Sequence, residues 1–114
     1  MDTIIIYDIP LHAVRYLYKE WDRERPVAHS LFLSKNKNDV FIAIDNEADG
    51  FLIEEFDTRE KAICWLLRKD YSRDEIMDLE DFIIKDLVRK NNFKIYRRYR
   101  INNGLSFWCK INCN

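Results

Sequence analysis

Apolar residues recur along this chain at two spacings, and the change from one to the other separates strands from helices. Thr3 to Ile9 is β-branched and apolar throughout, the pattern of a buried strand, and Pro10 stands where it can open a helix. Leu11, Val14, Leu17, Tyr18 and Trp21 then recur every three or four residues, which predicts a helix with one core-directed face that Pro26 ends. Val27 to Ser34, Val40 to Asp45 and Phe51 to Phe56 are short β-rich runs between polar turns, with Gly50 at the second turn, and predict an antiparallel meander. The middle run is apolar on both parities, Val40, Ile42 and Ile44 against Phe41 and Ala43, as in a strand covered on both sides.

Two capping-box patterns follow. Asp57 with Glu60 opens a helix in which Ala62, Ile63, Trp65, Leu66 and Leu67 cover most of the circumference, so this helix is expected to be buried. Ser72 with Glu75 opens another, with Ile76, Leu79, Ile83 and Leu87 as its apolar stripe and Asp74, Asp78 and Asp81 on the opposite face. Asn91 and Asn92 suit its end, because asparagine tolerates the left-handed cap.

Phe93 to Asn114 predicts a β-hairpin around the loop Asn102-Asn103-Gly104. Pairing Ile101 with Leu105 also pairs Tyr99 with Phe107, Arg97 with Cys109 and Ile95 with Ile111, which gathers one mainly apolar face. A slip of one residue would mix arginine with phenylalanine on each face. The expected architecture is a single compact α+β domain over residues 1–114. It has an antiparallel sheet and about three helices in the order β-α-β-β-β-α-α-β-β, and ends in a β-hairpin.

Composition narrows the classes. With 47% hydrophobic and 14% aromatic residues in 114, the chain can form a core without disulfide or metal staples. No apolar run is long enough to cross a membrane and the first residues lack a signal-peptide pattern, so a cytoplasmic protein is expected. An odd cysteine count (Cys64, Cys109 and Cys113) fits a reducing compartment and buried thiols. Two glycines cannot write a P-loop or a dinucleotide fingerprint, and no cofactor is expected.

Charge is where the chain departs from the ordinary. Its net charge is −1, yet Leu87 to Asn114 holds seven basic residues and no acidic one, against twelve basic and twenty acidic before it. Arg89 and Lys90 suit the negative end of a helix dipole, which leaves Lys94, Arg97, Arg98, Arg100 and Lys110 in excess. The hairpin register sets Lys94, Tyr96, Arg98, Arg100, Trp108 and Lys110 on one face, where cations alternate with rings. That combination can neutralise phosphates and stack on unpaired bases. It also describes an ordinary sheet face whose rings pack under a neighbour while basic stems keep their heads wet. Asp74, Asp78 and Asp81, with Glu80 and Asp86 nearby, form an acidic face that could imitate a row of phosphates, or simply be solvated.

Other chemistry finds little support. Cys109, Cys113, His12 and His29 match no zinc spacing, and no metal site is expected. Asp45, Glu47, Asp49, Glu54 and Glu55 surround one turn but lack the calcium-loop pattern. His12 or His29 could serve as a general base only through tertiary proximity that spacing does not reveal.

The stretch Phe41-Ile42-Ala43-Ile44-Asp45-Asn46, then Phe51 to Phe56, Asp57-Thr58 and Ala62-Ile63-Cys64-Trp65-Leu66 resembles small bacterial and phage proteins that carry a hairpin-then-helix module. Small size, few glycines and abundant Ile, Asn, Lys and Asp also resemble phage-encoded inhibitors of host defence, including anti-CRISPR proteins. The resemblance implies a non-enzymatic protein-binding module that docks on a nucleic-acid-processing host protein, and transfers no functional residue. Direct binding of RNA or single-stranded DNA by the hairpin is the alternative, and a small motif-free enzyme the third.

Overall fold

The computed structural model describes residues 3–22, 30–47, 50–67, 70–100 and 106–111, with backbone placement alone for 20–22, 98–100 and 106–111. Its elements run β1 (Ile4–Asp8), α1 (Leu11–Asp22), β2 (Leu31–Lys35), β3 (Phe41–Asp45), β4 (Leu52–Phe56), α2 (Arg59–Leu67), α3 (Arg73–Met77), α4 (Asp81–Arg89), β5 (Phe93–Arg100) and β6 (Ser106–Ile111). They build one 6-stranded sheet in the order β4-β3-β2-β1-β5-β6. The class is α+β, in the expected order of strands and helices.

The sheet is mixed, whereas the short runs predict an antiparallel one. β2-β3-β4 form the expected meander and β5-β6 the expected hairpin, both antiparallel. Central β1, however, runs parallel to both of its neighbours, β2 and β5. Parallel neighbours need crossover connections, and α1 provides one while α2, α3 and α4 lie in the other. Residues 101–105, the predicted hairpin loop with the Ile101–Leu105 pair, lie outside the described set, as do 27–29 at the start of the predicted second strand.

Helices cover both faces of the sheet. On one, Ile6, Leu31, Leu33, Ala43, Phe56 and Ile95 meet α2, Ile76 of α3 and Ile84 of α4. On the other, Val14, Leu11, Ala13 and Leu17 of α1 pack with Ile9, Phe32, Ile42, Ile44 and Phe51. Strand β3 thus contributes Ala43 to one core and Ile42 and Ile44 to the other, as its double parity predicts. Ser34, 2% exposed on β2, keeps a buried hydroxyl with no hydrogen-bond partner among the described residues.

Local chemistry differs from expectation at three points. At α2 the cap is Thr58, whose Oγ1 accepts the Lys61 N–H at 3.2 Å, because the Asp57 carboxylate is engaged by the Lys61 ammonium at 3.2 Å. The predicted helix from Ser72 begins with a complete Ser72–Glu75 capping box but breaks at Asp78, and α4 restarts after Glu80. In one unbroken helix Ile76 and Ile84 would sit about 80° apart. The break re-phases the chain so that both bury, at 0% and 2% exposure, while Ile83 of the predicted stripe is only half-buried. Asn91 ends α4 by donating its side-chain amide to the Leu87 carbonyl at 2.8 Å, rather than through a left-handed backbone.

Candidate interaction surface

β5 is held between a parallel and an antiparallel neighbour, which fixes where each predicted residue stands. Lys94 lies opposite Ile5 of β1, and Tyr96 lies opposite Tyr7 on one side and Lys110 on the other. Arg98 is opposite Trp108 and Arg100 opposite Ser106. The pairs Tyr99–Phe107, Arg97–Cys109 and Ile95–Ile111 are those that the alternation predicts. The six predicted residues therefore occupy one register set, in which a basic position is paired with an aromatic one at two consecutive pairs.

This set continues a row that crosses the whole sheet. Ile53, Ile44, Phe32, Tyr7, Tyr96 and Lys110 are successive register partners, one from each strand. Ring centroids are 6.1 Å apart for Tyr7 and Phe32 and 6.3 Å for Tyr7 and Tyr96, tilted by 37° and 38°. Such spacing lies within the range of favourable offset ring pairs. The row thus passes from aliphatic under α1 to aromatic at β1 and basic at β6. Ile5 is 41% exposed, and Lys94 and Tyr96 are half-buried, so α1 leaves this end of the face partly open among the described residues.

Arg97 belongs to the opposite face, where its Nε and Nη2 both donate to Asp8 Oδ2, at 3.1 and 2.5 Å. Parity assigned Arg97 to the apolar side of the hairpin. The pairing with Asp8, the last residue of β1, compensates its charge there. No local pattern could have joined two residues 89 positions apart. Asp86 likewise receives Arg89 at 2.7 Å and Lys90 at 2.9 Å, and these two cations hold its carboxyl below the usual aspartate range.

The acidic set spans two helices rather than the single one expected. Asp74 lies in α3 beside the Arg73 guanidinium at 3.1 Å, Asp78 caps the end of α3, and Asp81 opens α4. All three are exposed, but the break between α3 and α4 removes the continuous helix that would have aligned them. Among the described residues no three His, Cys, Asp or Glu side chains gather where a metal could bind. His12 is exposed on α1, and His29 and Cys113 lie outside the described residues. Cys64, on α2, is buried in the core. No helix among the described residues is long and apolar enough to cross a membrane.

Comparison with protein-family models, curated proteins and solved structures finds no match to this chain.

Proposed function

We propose that this protein is a binding module that holds single-stranded nucleic acid against the β5-β6 end of its sheet. The observation that carries the proposal is the register: Tyr96 stands opposite Lys110 and Arg98 opposite Trp108, next to the ring row of Tyr7 and Phe32. Cations at strand spacing can follow a phosphate backbone while neighbouring rings stack on bases. The acidic residues Glu54 and Glu55 lie in β4, at the far edge of the sheet. Five strand spacings separate the two edges by about 24 Å, well beyond the screening length of about 8 Å at physiological salt. The basic end can therefore act on a polyanion without cancellation from the acidic edge.

A salt titration with a fluorescent single-stranded oligonucleotide tests this proposal. Contact with about four phosphates predicts a log–log slope near −3. Changing Arg98 and Arg100 to alanine should flatten that slope, and Trp108→Ala should cost about 1–3 kcal/mol for the base it stacks. Binding that ignores both salt and these changes would reject the assignment.

A second reading, a phage-type inhibitor that docks on a nucleic-acid-processing protein, is favoured by the junction of α3 and α4. There Phe82 is 67% exposed among exposed Asp78, Glu80 and Asp81, an apolar knob with an acidic rim. Capture of such a protein from bacterial lysate, lost on Phe82→Ser and displaced by DNA or RNA, would favour this reading over direct binding.

A further inference from the structure

At the carboxyl ends of the parallel strands lies a cleft of about 230 Å³, on the opposite side of the sheet from the Tyr96 row. Asp8 of β1, Leu33, Ser34 and Lys35 of β2, Phe41 of β3, Arg59 of α2 and Arg97 of β5 line it. Three cations thus face one carboxylate, and that carboxylate already accepts two hydrogen bonds from Arg97. Lys35 is spanned only by an exposed i,i+4 contact to Asp39 at 3.4 Å, the kind of pair worth little in water.

Arg59 is the informative residue. It is the first residue of α2, directly after the Thr58 cap, so its positive charge sits at the positive end of the helix dipole. That placement opposes helix formation. Arg59 is nevertheless half-buried, and it makes no ion pair among the described residues. A half-buried guanidinium at an unfavourable helix position calls for an anion, and the amides of the same helix start would add donors to it.

We propose that this cleft is a phosphate-binding site, with Arg59 and Lys35 as its principal ligands and Arg97, held by Asp8, as the wall that keeps it positive. The site stands on a different face and on different residues from the β5-β6 surface, so either assignment can fail alone. The phosphate could belong to a small phosphomonoester or to a nucleic-acid strand.

Backbone amide NMR on the full chain tests the site. Inorganic phosphate and adenosine 5′-monophosphate are titrated at constant ionic strength, with adenosine as the uncharged control. Saturable shifts at Lys35 and Arg59 with both phosphates and none with adenosine are expected, weakened about tenfold or more in Arg59→Gln and in Lys35→Gln. Lys37→Gln, an exposed change on the next turn, should leave them intact. Because Arg59→Gln relieves an unfavourable dipole contact, its melting temperature should not fall, which separates lost binding from lost fold. Oligonucleotides with and without a 5′-phosphate identify the source: competition by both points to the strand backbone, and by the phosphorylated one alone to a terminal monoester. No saturable shift at the cleft, or equal binding by Arg59→Gln, overturns the proposal.

Discussion

The two edges of the sheet are built from the same strand geometry but carry opposite chemistry. β4, at one edge, carries Glu54 and Glu55, shows Leu52 and Ile53 at 54% and 39% exposure, and buries Phe56 beneath α2. β5 and β6, at the other edge, carry basic and aromatic residues and are tied to the core through Ile95. Charge on an edge strand blocks pairing with other chains, so either sign would protect an edge. That the signs are segregated, one per edge, is what edge protection leaves unexplained and what a polyanion-binding surface requires.

The residues that anchor each edge should differ most in what they contribute to stability. Ile95→Ala removes a fully buried side chain where the basic hairpin meets the core, and should lower stability by roughly 2–5 kcal/mol in urea unfolding. Leu52→Ala, on the acidic edge, should cost well under about 1 kcal/mol. Equal losses would mean that the hairpin is no better anchored than the exposed strand.

A smaller effect is expected at the ion pair between β1 and β5. A double-mutant cycle over Asp8 and Arg97 should give a coupling of about 1 kcal/mol, held down by solvent screening because the Arg97 side chain is 50% exposed. The Lys35–Asp39 pair, exposed on both sides, should give less and lose it faster with added salt. Ser34→Ala, between the two edges, should be neutral or stabilise by up to about 1 kcal/mol, since it deletes a buried hydroxyl that has no partner among the described residues.

The smallest effect sharpens the charge accounting. Lys90 and Arg89 lower the folded-state pKa of Asp86, so its stabilising contribution is present above the unfolded-state value. It fades as the pH falls through the lowered folded-state value. Asp86→Asn should lower stability slightly at neutral pH and leave it unchanged at acid pH, where Asp86 is already protonated, so the gap between unfolding curves at neutral and acid pH narrows.

Hairpin register was legible because two independent local signals agree: the Asn-Asn-Gly turn chemistry and the alternation of Ile95, Tyr99, Phe107 and Ile111. Element order was legible for the same local reason. The partners of β1 were not, since a run such as Ile4-Ile5-Ile6 is equally apolar toward any neighbour, and the pairing with β5 depends on where α2, α3 and α4 return the chain. The break after Met77 carries no glycine or proline; it follows from burying both Ile76 and Ile84. Of the candidate surface, alternation revealed the cation–ring pairs. The significance of Arg59 could not be read that way, because an arginine three residues before a buried helix core is ordinary until the fold sets Lys35 and Arg97 beside it.

The parallel placement of β1 also shapes how the molecule assembles. The hairpins β2-β3 and β3-β4 and the contacts of α2 close over short stretches, whereas β1 meets β5 only across 89 residues. Closing that span costs about 2 kcal/mol more in chain entropy than closing a ten-residue loop. The meander and its helices are thus the natural nucleus, and β1 is the seam sealed late. The tilted ring contact between Tyr7 and Tyr96 and the Asp8–Arg97 pair lie on that seam. Mutations there should act chiefly on the unfolding rate, making this one strand the determinant of how long the basic surface, once formed, stays formed.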